Sequence, residues 1–206
     1  IEQFMIAANV AVAEYARKHG IPFVYRIHDQ PDEEKLAVLS EIAVRLGFKT
    51  REFRNTSDLR ALMEEARETP YARMISDRIL RSMAKARYSE VQTGHYGLSL
   101  ADYCHFTSPI RRYPDLAIHR ILSALIGKTH KDEIIKRYSG FVKEAAELSS
   151  EFEIRAMNAE RDCEACYMAE YMGGFIGSEF EGIISSVSSF GLFVELPNSV
   201  EGLVRL

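Results

Sequence analysis

The sequence predicts an α+β chain, with helices first and strands last. Three observations carry that expectation. Apolar residues recur at helical spacing through most of residues 1–172. A glycine cluster, Gly173, Gly174 and Gly177, then interrupts the pattern. Beyond it come short runs separated by turn residues, the pattern of strands. No repeat and no low-complexity stretch suggests a solenoid or a disordered tail. At 206 residues and 47% hydrophobic composition, the chain has enough for one domain and part of another.

The elements follow in order. Residues 1–18 read as a helix with Phe4, Met5, Ala8, Val12 and Tyr15 on its apolar side, stopped by Gly20. Residues 22–27 are a short strand-like run. Pro31-Asp32-Glu33-Glu34 opens a second helix, with acids where the helix dipole favours them, running to about Leu46. Asn55-Thr56-Ser57-Asp58 starts a third, which ends before Pro70, and a fourth spans residues 71–86. Residues 96–106 read as a strand or extended loop. Residues 114–126 form a helix closed by Gly127. Residues 131–172 form a very long one, with a stripe at Ile135, Tyr138, Val142, Ala145, Leu148 and Phe152, and Ser149-Ser150 as a place for it to bend or divide. Strands are expected at 178–185, 191–196 and 201–206, with Pro197-Asn198-Ser199 as a turn. The domain boundary is placed between residues 173 and 174.

Composition excludes some classes. The net charge of -4 argues against a general nucleic-acid sponge, but leaves room for a focused basic groove. Arg73, Arg78, Arg81, Lys85 and Arg87 could be a solvated helix face or could line such a path. Three cysteines do not make a disulfide framework. Cys163 and Cys166 form a C-x-x-C without a second ligand pair for zinc, so they read as buried thiols. No apolar run is long enough to span a membrane, no leader is visible, and a cytoplasmic protein is expected.

The most informative stretch runs from Tyr103 to Arg120. Ser108 reads as an N-cap and Pro109 as a first helical residue, placing Arg111 and Arg112 in a first helical turn. Cations there oppose the dipole unless an anion arrives, which suggests a phosphate site. On spacing alone, a solvated N-terminus paired to Asp115 is the commoner outcome. Asp115 is expected to fix Arg111, with His119 sharing that network.

The run His105-Phe106-Thr107-Ser108-Pro109-Ile110-Arg111-Arg112-Tyr113-Pro114-Asp115-Leu116 resembles the signature of the ribonuclease II/ribonuclease R (RNB) family. Gly94-His95-Tyr96-Gly97-Leu98 and residues 1–9 are similar to that family too, and the likeness covers essentially the whole chain. Residues 182–196, with Glu201-Gly202-Leu203-Val204, resemble the opening strands of an S1 RNA-binding domain, a five-stranded barrel of the OB class. The resemblance implies the C-terminal part of an RNB catalytic domain (1–173) followed by the start of an S1 domain (174–206).

It also implies a processive 3′-to-5′ exoribonuclease that acts on single-stranded RNA with two Mg²⁺ ions. No carboxylate run here matches the family's D-x-D-D metal motif, so the metal residues in this chain are none and the ligands are expected upstream. The isolated chain is then expected to be inactive. Arg111 matches the arginine that meets the reacting phosphate, and Arg112 beside it is an RNA-binding candidate. Glu2 matches the glutamate at the terminal nucleotide, and Glu160 an acid near the channel exit. Phe190 and Phe193 match stacking aromatics. They are three apart, so sharing a face requires Gly191 to bend the strand, and Phe190 is expected to be the exposed one. Arg205 stands where many S1 domains carry histidine, and Gln3 departs from the family's glutamate. The alternative is a non-catalytic RNA-binding protein on the same scaffold. No membrane and no obligate protein partner is implied.

Overall fold

The computed structural model describes every residue except Arg51 and Lys128. It forms two compact units, residues 1–152 and 153–206. In the first, α1 spans Glu2–His19, β1 Tyr25–Ile27, α2 Glu33–Arg45, α3 Thr56–Ala66, α4 Ala72–Ser82, β2 Arg87–Ser89 and α5 Tyr113–Ile126. The helix α6, Lys131–Gly173, begins in this unit and continues into the second, which adds β3 (Ile183–Ser188), β4 (Gly191–Glu195) and β5 (Glu201–Arg205).

Helix ends follow local chemistry. Gly20 closes α1 in the left-handed conformation at φ 59°, which costs a residue without a Cβ little. Asp32 caps α2 by accepting from the backbone N–H groups of Glu34 and Lys35. Asn55 and Asp58 form a reciprocal capping box at α3.

Two hydrophobic clusters organise unit one. The larger joins Ala13 and Ala16 of α1, Val24 and Ile27, Ile118 and Ile121 of α5, and Ile134, Val142 and Ala146 of α6. The smaller gathers Leu39, Leu59, Leu62, Ile75 and Ile79 from α2, α3 and α4. The strands β1 and β2 pair antiparallel, Tyr25 opposite Ser89 and Ile27 opposite Arg87.

Several expectations are corrected. The fourth helix stops at Ser82, and Arg87 belongs to β2, where it pairs with Asp29 at 3.3 Å. The basic run is therefore not one helix face. Residues 96–106 hold a single 3-10 turn, Tyr96–Leu98, in otherwise irregular chain. Ser149-Ser150 does not divide α6. Ser150 turns its hydroxyl onto the Ala146 carbonyl (2.9 Å) and accepts the Tyr88 N–H (2.9 Å), tying the helix to β2. The strand expected at 178–185 begins later, at Ile183. Cys163 and Cys166 are exposed, while Cys104 is buried.

The segment that carries the arginines is fastened to α1. Asn9, 4% exposed, accepts the Phe106 N–H (3.0 Å) and donates to the Tyr103 hydroxyl (3.3 Å). Arg17 reaches both oxygens of buried Asp102 at 2.8 and 2.9 Å. Removing Asn9 strands a backbone donor. Asn9→Ala is expected to lower the unfolding free energy by about 1–3 kcal/mol, read from urea denaturation.

Candidate functional site

The arginines sit on a turn ahead of a helix, not in its first turn. The Ser108 carbonyl accepts the N–H groups of Arg111 (3.3 Å) and Arg112 (3.2 Å). Arg112 is extended at φ -128°, ψ 120° and is the N-cap of α5. The expected start at Ser108 and Pro109 is overturned by Pro114. A helix begun at Pro109 would need an N–H from residue 114 for the Ile110 carbonyl, and proline has none.

Asp115 decides which arginine is available. It is 0% exposed, and its Oδ1 accepts both the Ser108 N–H and Arg112 Nη2 at 2.8 Å. It therefore holds Arg112, not Arg111 as spacing suggested. Arg111 is exposed and makes no ion pair among the described residues. Asp115 Oδ2 and Arg112 Nε are buried without a hydrogen-bond partner among the described residues. His119 does not join this network. Its Nε2 donates to the Phe106 carbonyl (3.0 Å), and its ring stacks on Phe106 at 4.3 Å.

A wall of rings continues the site. His105 Nδ1 lies 3.0 Å from the Tyr88 hydroxyl, and its ring is edge-on to Tyr88 and Tyr103, both at 5.7 Å. His95 contacts Tyr103 (5.3 Å) and His28 (5.1 Å). His28 accepts the Gly97 N–H (3.0 Å) and donates to the Ala84 carbonyl (2.8 Å). Burial pushes the His105 pKa down to about 3, assisted by Arg112 and Arg26. Burial also pushes His95 down to about 4, assisted by His28 and Arg26. Both rings are thus uncharged at neutral pH beside cationic arginines. Sequence reading missed this wall, although the Gly94–Leu98 stretch carried its signal.

In the second unit, Phe190 lies in the turn before β4 and is 57% exposed, as expected, while Phe193 is half-buried. Their rings meet edge to face at 6.2 Å. The cause is the turn, since Phe190 is outside the strand's alternation. Phe193 pairs across the sheet with Ser186 and Leu203, and Gly191 with Ser188 and Arg205, so Phe193 and Arg205 share one face. A Cβ on Gly191 would collide with the Val204 carbonyl, so only glycine permits this approach. Glu2 is exposed in the first turn of α1, and Glu160 is exposed on α6. Glu2 is not joined to the arginine turn by a hydrogen bond or ion pair among the described residues.

Among the described residues, no group of three or more His, Cys, Asp or Glu side chains could hold a metal ion. No helix there is long and apolar enough to cross a membrane.

Residues 1–128 match the RNB domain, and residues 175–206 match the S1 RNA binding domain. The chain belongs to the RNB family. Ribonuclease R 1 of Lactococcus lactis is 44% identical over all of this chain, which spans 26% of that relative. Mycoplasma genitalium RNase R in complex with ribose methylated single-stranded RNA superposes with a TM-score of 0.89 at 30% identity, covering 99% of this chain and 33% of that one. Yeast Ssd1, a pseudonuclease, shares the fold at a TM-score of 0.65 and 26% identity, over 99% of this chain and 26% of its own. The chain thus spans about a quarter to a third of the length of these RNB relatives.

Two outcomes follow from this geometry. Asp115→Ala leaves the partly buried Arg112 beside no counter-ion and the Ser108 N–H without its acceptor, and is expected to cost about 3–5 kcal/mol, whereas Arg111→Ala stays within about 0.5 kcal/mol, both read by thermal denaturation. The second concerns pH. Histidines in the unfolded chain take up protons near 6.5, while folded His105 and His95 resist until about 3 and 4. The unfolded state binds more protons in that window, so melting temperature should fall as pH drops from 6.5 toward 4. Substituting both histidines with glutamine should flatten the slope.

Proposed function

We propose that this chain is part of a 3′-to-5′ exoribonuclease that releases nucleoside 5′-monophosphates from single-stranded RNA. The observation that carries the reading is the unequal arginine pair. Arg112 is held by a buried carboxylate and braces the turn, and Arg111 presents an unpaired guanidinium at its crest. That planar fork suits charge growing on a phosphate in the transition state. Membership in the RNB family and the RNA-bound M. genitalium relative support the assignment. Glu2 contacts the terminal nucleotide, and Glu160 sets charge near the channel exit. Phe190, Phe193 and Arg205 offer bases a stacking and cationic face. The boundary between the RNB and S1 parts is placed between residues 173 and 174.

The Mg²⁺ pair that the family resemblance implies finds no ligand set among the described residues. We place its aspartates in another segment of the parent protein. This chain contributes phosphate contact and strand binding, and alone it is inactive. The second reading, a non-catalytic RNA-binding scaffold, draws on the same missing ligand set and on the likeness to Ssd1.

The test uses the full-length protein, 5′-labelled single-stranded RNA and Mg²⁺. Shortening from the 3′ end is expected. Arg111→Ala should lower turnover about 10²–10³-fold, with RNA affinity little changed. Wild-type turnover in that variant overturns the role of Arg111. Tight RNA binding with no shortening in the unsubstituted protein favours the second reading.

A further inference from the structure

We propose that a groove between α5 and α6, apart from the arginine turn, binds a nucleotide through its phosphate and its base. The groove is open to solvent, has a volume of about 700 Å³ and is lined by Arg120 and Ser123 of α5 and by Arg137, Tyr138 and Phe141 of α6. All lie within the first compact unit. Arg120 stands eight residues beyond Arg112, roughly 12 Å along the helix axis, so this is a separate place from Arg111.

Two cations face this groove from opposite walls. Neither Arg120 nor Arg137 makes an ion pair among the described residues, and both are exposed. Each is steadied by an aromatic ring instead. The Arg120 guanidinium lies 5.9 Å from the Tyr113 ring centre, and that of Arg137 lies 5.3 Å from Tyr138. A guanidinium held over a ring face keeps its N–H edges free to donate. The side of α5 facing the groove runs Leu116, His119, Arg120, Ser123 and Ala124, with no acid in the row, while the helix's one acid, Asp115, is buried. Two arginines sharing a space without a counter-ion repel, and a phosphate between them reverses the sign. The Ser123 hydroxyl adds a donor.

The floor is apolar. Its open part is Phe141, half-buried and packed edge-on at 5.8 Å against buried Tyr138, and Leu116 extends the surface. A bare inorganic anion would leave that floor wet. A base covers it by stacking, a contact that every base can make. Phosphate and ring together specify a nucleotide, either within an RNA strand or free as a nucleoside monophosphate. The RNA source rests on the exoribonuclease reading above, whereas the groove's chemistry does not.

The experiment uses the full-length protein with two probes, a fluorescein-labelled single-stranded oligoribonucleotide and adenosine 5′-monophosphate. The variants are Arg120→Gln with Arg137→Gln, and separately Ser123→Glu, which adds a carboxylate while keeping both arginines. Thermal melts check folding, and if the double variant melts early, Ser123→Glu decides. Loss of RNA affinity by about tenfold, with the slope of log K against log salt reduced by ~0.7, supports the groove as a phosphodiester site on the strand. Saturable monophosphate binding that both variants abolish supports a free-nucleotide site. Wild-type affinity and salt slope for both probes in every folded variant overturns the inference. A wild-type protein that binds monophosphate but no RNA defeats the exoribonuclease reading and leaves the groove standing. One that binds neither defeats both.

Discussion

The buried carboxylate of Asp115 is the constraint on which the arginine site depends. It lies in the first turn of α5, where the helix dipole favours a negative charge. From there it gathers the Ser108 N–H and the Arg112 side chain on one oxygen. The two bonds fix the turn between them, and Arg111 occupies its crest. A cation ahead of a helix is ordinarily unfavourable. Asp115 offsets one of the two and leaves the other without a partner. Two adjacent, chemically identical residues thereby acquire different tasks.

The turn in turn depends on contacts remote in sequence. Asn9 and Arg17, both on α1, bind the segment from Asp102 to Phe106 from below, through bonds that span 85 to 97 residues. Ser150 fastens α6 to β2, and β2 supplies Tyr88 to the ring wall. Helices and strands therefore fix Arg112 and the ring wall, while Arg111 itself stays exposed. Such an arrangement suits recognition of a phosphate, because the Arg111 side chain is what remains to be ordered when the ligand arrives.

Much of the order of elements was legible in the sequence, and the reasons are local. Gly20, the Asp32 cap and the Asn55 capping box are short-range signals, and each ended or began a helix where expected. The failures have non-local causes. Ser108-Pro109 is a sound helix start on its own chemistry, yet Pro114 five residues later forbids it. Ser149-Ser150 looked like a break, but a serine hydroxyl can return to the carbonyl four residues back, and Ser150 does so while reaching another strand. β2 is only three residues long and is defined by pairing with β1, which no local pattern encodes. Spacing pointed Asp115 at Arg111, four residues back on the same helical side, but the extended backbone at Arg112 takes both arginines out of the helix and brings Arg112 to the carboxylate instead.

The ring wall and the second unit show how uncharged groups complement the arginines. His105 and His95 could be cations in water, and two more positive charges beside Arg26, Arg111 and Arg112 would raise the field without adding shape. Burial keeps them uncharged, so they act as flat hydrogen-bonding rings that add no positive charge. In the second unit the same division recurs on a sheet. Phe190 and Phe193 supply ring faces, and Arg205 supplies the charge on the face that carries Phe193. A strand of RNA has a sequence-independent charge on its backbone and a π-face on every base. Surfaces that pair one cation with adjoining rings suit such a strand without reading its sequence, which is what the proposed exoribonuclease function asks of them.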